Sequence, residues 1–175
     1  MTGTIFVDAN VFLYANDEGD PAKMPRAHAW VDHLWDNGLG RTSMQVLSEY
    51  YVNLKRKAGA SLPPDEAWLR IARLLQWKPQ PVDGPLLLRA REIERRWRLS
   101  WWDSMIVAAA QLQGCAILLT EDLQDGVLYG GVTVRSPFTL DVREPVPAYA
   151  VAPQFPPRHR GRGRPKKIPV TRYGR

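Results

Sequence analysis

A chain of 175 residues, 45% of them apolar, is long enough for one domain with a buried core. Its formal charge of +6 is unevenly placed: eight of the 24 Lys/Arg and none of the 18 Asp/Glu lie from Pro145 onward, which leaves the body with 16 against 18, a balance of −2. A nucleic-acid argument from charge is therefore an argument about the tail, and the single cysteine, Cys115, excludes an intrachain disulfide.

The start, Met1-Thr2-Gly3-Thr4, has no basic region, so no signal peptide is expected. The most apolar stretch, residues 105–119, is interrupted by Gln111, Gln113 and Gly114 and cannot span a bilayer. A cytoplasmic protein with no membrane contact is expected. Residues 5–7 read as a buried parallel strand. Ala27, Trp30, Val31 and Leu34 share one helical face over residues 26–35, and Asn37-Gly38 ends that helix. Ser43 is a good cap for a helix over residues 43–57, whose predicted face is Met44, Leu47, Tyr51 and Leu54. Glu49 lies off that stripe, at the edge of the core. Pro63-Pro64-Asp65-Glu66 opens another helix, with Trp68, Ile71, Ala72 and Leu75 as its face. Residues 78–82 form a connector with room for a strand. A helix over residues 84–97 presents Arg89, Arg91, Arg95 and Arg96. Ser100 caps a helix over residues 101–113, which Gly114 terminates. Strands follow at residues 116–119 and 132–134. Alternating strands and helices predict an α/β fold with a mostly parallel sheet.

Four acids stand in distinctive settings. Asp8 and Asp122 follow strand-like runs, where ligand sites of α/β sheets gather. Glu49 is mid-helix, and Asp103 opens an apolar helix. Two readings of Asp103 stand together: a capping-box partner of Ser100, or a ligand kept ionised by the helix dipole. Of Glu121, Asp122 and Asp125, one faces a cleft and two face solvent. If the four acids converge, only protonation or a hard cation relieves their repulsion, and an all-oxygen set suits Mg²⁺ or Mn²⁺. One cysteine and three scattered histidines (His28, His33, His159) do not make a zinc site of the usual kind. There is no Gly-rich phosphate loop and no acyl-transfer motif.

Together these segments resemble the PIN-domain nucleases, and among them the VapC-type ribonuclease toxins. The resemblance rests on Ile5-Phe6-Val7-Asp8-Ala9-Asn10-Val11, on Ser43 with Glu49, on the run from Leu99-Ser100-Trp101-Trp102-Asp103-Ser104 to Ala110, and on Leu118-Leu119-Thr120-Glu121-Asp122. It implies a three-layer α/β/α sandwich over residues 1–144. It also implies Asp8, Glu49, Asp103 and Asp122 in one acidic pocket, as metal ligands and catalytic residues of metal-assisted RNA hydrolysis. Asn10 and Thr120 match positions that hold the acids by hydrogen bonds. Asp125 departs from the family spacing and is not expected to be a ligand. A homodimer and a cognate antitoxin are the partners that the resemblance implies. The alternatives are a PIN nuclease of RNA maturation or decay with no antitoxin, and a noncatalytic DNA- or RNA-binding module.

Residues 145–175 are rich in Pro, Gly and Arg and are expected to be an extended basic tail. Arg160-Gly161-Arg162-Gly163-Arg164-Pro165-Lys166-Lys167 resembles an AT-hook. That implies minor-groove contact through Arg162, Arg164, Lys166 and Lys167; generic phosphate attraction is the other reading. Trp101 and Trp102 are adjacent and cannot share one helix face, so one is expected in the core and the other in a groove or interface.

Overall fold

The computed structural model describes residues 3–143. Strand β1 (Ile5–Val7) leads into a short helix α1 (Ala9–Tyr14), followed by α2 (Met24–Asp36), β2 (Gly40–Arg41), α3 (Met44–Ala58), α4 (Pro64–Leu74), α5 (Gly84–Trp97) and α6 (Trp101–Leu112). The chain then returns as β3 (Ile117–Leu119), β4 (Leu128–Tyr129) and β5 (Val132–Arg135). The five strands form one sheet in the order β2-β1-β3-β5-β4. All neighbours are parallel except β4, which runs antiparallel to β5. Every residue of β1 and β3 is buried, so both faces of the sheet centre are covered, as a parallel sheet requires. The expected mostly parallel α/β sheet is present.

Local chemistry sets the helix ends. Ser43 accepts from the Val46 N–H at 3.2 Å and Asp83 from the Leu86 N–H at 3.0 Å, each satisfying an orphan donor of a first turn. Lys55, Arg56 and Lys57 crowd the last turn of α3, where the dipole favours cations. Gly114, at φ +65°, turns the chain from α6 into β3. This turn sends β3 back along the sheet, so the start of α6 stands over the carboxyl ends of the strands.

Two predicted faces are rotated. On α3 the buried stripe is Val46, Leu47, Tyr50 and Leu54, while Met44 is exposed. On α4 it is Ala67, Ile71 and Leu74; Trp68 and Leu75 are exposed. Trp68 instead rests edge-on against Tyr51, its ring centroid 6.3 Å away, so a large aromatic here covers a neighbouring helix rather than entering the core. Helix α1 and strands β2 and β4 are too short to show a period. The 78–82 connector contributes one parallel bridge, Ser43 to Gln80.

Cys115 is buried, and burial pushes its thiol up to about 11. Trp101 is half-buried while Trp102 is exposed, which separates the adjacent pair as expected. No helix among the described residues is long and apolar enough to cross a membrane. The expected tail, with Arg162, Arg164, Lys166 and Lys167, lies outside the described residues.

Candidate active site

Asp8 follows the last residue of β1 and caps α1. Its backbone N–H still continues the ladder, donating to the Leu119 carbonyl at 3.1 Å. Its side chain turns back, so that Oδ1 accepts from the Ala9 N–H at 2.7 Å. Across the junction with β3, Thr120 Oγ1 donates to Asp8 Oδ2 at 2.8 Å. The same hydroxyl accepts from Asn10 Nδ2 at 2.9 Å and from the Asp122 N–H at 3.1 Å. One hydroxyl has one proton and two lone pairs, so Thr120 is saturated. It ties Asp8 to the loop that carries Asp122. Asp8 and Thr120 are both 1% exposed, which makes this a buried polar junction at the carboxyl end of two parallel strands.

Asp103 lies in the first turn of α6 and is 7% exposed. Ser100 Oγ accepts from the Asp103 N–H at 3.1 Å and donates to Asp103 Oδ2 at 2.6 Å. The capping reading of this pair is therefore correct in its backbone arm. Its second arm differs from a capping box, because the hydroxyl itself reaches the carboxylate. Tyr129 senses this acid: burial first, and then the charge of Asp103, push its hydroxyl up to about 12.

Glu49 is half-buried on the second turn of α3. Gln45, one turn earlier, donates through Nε2 to Glu49 Oε1 at 2.9 Å and to the Trp102 carbonyl at 3.4 Å. This amide joins α3 to the start of α6, one residue before Asp103. The sequence reading missed Gln45. Its i, i+4 spacing from Glu49 was visible, whereas its contact with Trp102 was not. Gln45, Glu49, Asn53, Val52, Trp102 and Met105 line an open groove of about 530 Å³.

The loop after β3 sorts its three acids. Glu121 pairs with Lys23 at 2.6 Å, and Lys23 also donates to the Tyr14 hydroxyl at 3.1 Å. Asp125 accepts from Arg135 Nε at 3.2 Å, from the Ser136 N–H at 2.8 Å and from Thr139 Oγ1 at 3.3 Å. Glu121 and Asp125 are thus occupied in holding loops, and Asp122, exposed like Asp125, lies beside the Asp8 junction, its N–H on Thr120 Oγ1. Three of the four arginines of α5 have local partners: Arg89 pairs with Glu92, Arg91 with Glu94, and Arg96 lies over the Trp97 ring.

Asp8 and Asp122 are linked through Thr120, and Glu49 and the start of α6 are linked through Gln45. Both assemblies belong to elements that begin or end at the carboxyl edge of the sheet. Yet no three His, Cys, Asp or Glu side chains among the described residues come close enough to hold an ion between them. The donor chemistry does fit a hard divalent cation. The acids are oxygen donors, two of them buried, and two amide carbonyls beside them, Asn10 Oδ1 and Gln45 Oε1, are buried without a donor among the described residues. His28 is engaged elsewhere, with Asp32 at 2.9 Å.

Comparison with known proteins agrees with this layout. The PIN domain family model matches residues 5–124. Among solved structures, FitAcB from Neisseria gonorrhoeae is similar at 21% identity and a TM-score of 0.54, covering 78% of this chain and all of that one. VapC20 of Mycobacterium tuberculosis, a sarcin-ricin loop cleaving toxin, is similar at 23% identity and a TM-score of 0.50, covering 66% of this chain and 87% of its own. At these identities the likeness is one of fold. No curated protein sequence matches the chain. With Asp8 at the end of β1, Asp103 opening α6 and a family match that spans every element from β1 to β3, the chain belongs to the PIN-domain family of nucleases.

Proposed function

We propose that the chain is a divalent-metal-dependent endoribonuclease and the toxin of a type II toxin–antitoxin pair. It would act in the cytoplasm as a homodimer restrained by its cognate antitoxin. The observation that carries the nuclease reading is the buried Asp8–Thr120 junction at the carboxyl edge of a PIN sheet, on the edge where Asp103 opens α6. The toxin reading is supported by the shared fold with VapC20.

In this reading Asp8 and Asp103 hold Mg²⁺ or Mn²⁺ directly, and Glu49 and Asp122 do so directly or through ordered water. Bound there, the cation supplies Lewis-acid stabilisation of charge on the phosphate and a more acidic water. The chain contributes orientation. Thr120 and Asn10 orient Asp8, Ser100 orients Asp103, and Gln45 orients Glu49, so each carboxylate is held by its own donors and a bound cation would have to draw them together. An acidic edge repels a polyanion, so RNA affinity must come from contacts outside it. Exposed Trp102 at the groove offers a face on which a base can stack.

The test is RNA cleavage by purified protein with Mg²⁺, with Mn²⁺ and with chelator. Asp8→Asn and Asp103→Asn should each lower the rate by at least roughly 10²-fold with the fold intact, the scale of losing one preorganised electrostatic group. Cleavage by Asp8→Asn at the parent rate, or full cleavage in chelator, would defeat the assignment. Growth arrest on expression, lost in Asp8→Asn and relieved by a neighbouring small gene, tests the toxin part; a nuclease without an antitoxin would show no such relief.

A further inference from the structure

Gln45 has no role in the composition or motif argument, yet its chemistry is unusually constrained. It is 7% exposed in the first turn of α3. Its Nε2 reaches Glu49 Oε1 and the Trp102 carbonyl, and both partners are acceptors. An amide oxygen placed there would face two oxygens, so the NH₂ end must point at them. The orientation of the side chain is therefore chemically determined, and Oε1 is left on the other side. That oxygen is buried and receives no hydrogen bond from the described protein. A buried carbonyl without a donor is disfavoured and calls for a partner. The site repeats the pattern at Asn10: Nδ2 is committed to Asp8 Oδ2 at 3.4 Å and to Thr120 Oγ1, and Oδ1 is left without a donor among the described residues. Two amides thus flank the acids in a similar way, each bonding through its nitrogen to one carboxylate and to one other oxygen and keeping its own oxygen back.

We propose that Gln45 is a positioning residue of the metal centre, orienting the Glu49 carboxylate with Nε2 and accepting through Oε1 from a water of a hydrated divalent cation. The inference rests on the metal-dependent reading above. Mg²⁺ and Mn²⁺ are hard cations, and Mg²⁺ keeps several waters, each a hydrogen-bond donor of the kind that Oε1 lacks. Gln45 lines the same groove as Glu49, so a hydrated ion held by that acid has an open approach. Gln45 also bridges to the residue preceding Asp103, so one side chain serves the acids of both helices. A purely structural tie between α3 and α6 makes a different prediction, and the two can be separated.

The experiment uses the full chain, stripped of metal, with Mn²⁺ as the probe. Mn²⁺ affinity is measured by titration calorimetry, and melting is followed with and without Mn²⁺. Gln45→Met keeps the side-chain length and removes both polar ends; Gln45→Leu serves if the methionine variant does not fold. Val52→Ala, in the same groove but apolar and exposed, is the control. The expected result is Mn²⁺ binding weakened roughly 10–100-fold in the Gln45 variant, the usual scale for a residue supporting a ligand. Whatever the loss of the two Nε2 bonds does to the metal-free melting temperature, the metal-induced rise should be smaller, and Val52→Ala should match the parent. Parent-like Mn²⁺ affinity in the variant overturns the role of Gln45 while leaving the metal reading standing, and a lower metal-free melting temperature with that affinity assigns Gln45 to the helix tie. A parent that binds no Mn²⁺ overturns the metal reading itself, and this proposal with it.

Discussion

Thr120 Oγ1 donates to Asp8 Oδ2 at 2.8 Å, joining residues 112 positions apart where two parallel strands end side by side. The bond spends the only proton of the hydroxyl on a buried carboxylate. Thr120→Val keeps the shape but leaves Asp8, Asn10 and the Asp122 N–H each short of a partner. A hydrogen bond to a charged group is worth about 1.5–3 kcal/mol, and urea denaturation should show a loss of that order. Cleavage should fall by roughly 10–100-fold as Asp8 loses its orientation, and Thr120→Ser should recover most of both.

Asp125 provides the contrast. It belongs to the same loop as Asp122, but its oxygens are taken by Arg135, Ser136 and Thr139. Asp125→Ala should cut RNA at the parent rate, and hydrogen exchange at the Ser136 amide should quicken. A rate as low as that of Asp8→Asn would place Asp125 in the site after all.

Lys23 predicts an alkaline response. Its bond to Glu121, and then that to Tyr14, outweigh partial burial and raise its ammonium from 10.5 to about 12. Tyr14 is raised as well, chiefly by its bond to Glu121. A cation with a raised folded pKa gives stability that is complete below its unfolded value and is lost as pH climbs through the folded one. The stability gap between parent and Lys23→Met should therefore be constant up to about pH 10.5 and shrink towards pH 12. Urea titrations across that range would reveal it; a gap that widens with pH would contradict the pairing.

Gly40 packs directly against the Trp77 ring. A Cβ built on Gly40 would lie 2.6 Å from three ring carbons. The ring has little room to yield, because it is buried against Phe12 and Trp35, with centroids 5.6 and 5.8 Å away. Gly40→Ala should cost about 1–3 kcal/mol, the range for overpacking a filled core, measured by thermal or urea denaturation. Its metal affinity should be unaffected.

The sequence was most readable where a residue acts on its near neighbours. Ser43 and Ser100 as caps, Gly114 as a stop and Asp8 at a strand end follow from local chemistry, and each stands where expected. Reading was weaker where partners are distant. The faces of α3 and α4 were misplaced because Met44, Trp68 and Leu75 are apolar yet exposed, and hydrophobic spacing cannot tell a core residue from one that covers a neighbour. Gln45 was missed because its meaning depends on the Trp102 carbonyl, 57 residues on. The four acids stand out in the sequence, but the links between elements, Thr120 between Asp8 and the Asp122 loop and Gln45 between Glu49 and the start of α6, depend on the packing of helices against the sheet edge.

Cys115 has a practical consequence. It is the only cysteine in the chain, it is 3% exposed, and its thiol ionises near 11. Alkylation by iodoacetamide at neutral pH must therefore wait for the interior to open, because the thiolate is the reactive form and needs solvent access. The labelling rate becomes a built-in clock for unfolding, which can be read by mass spectrometry on any of the variants above without adding a dye or a tag.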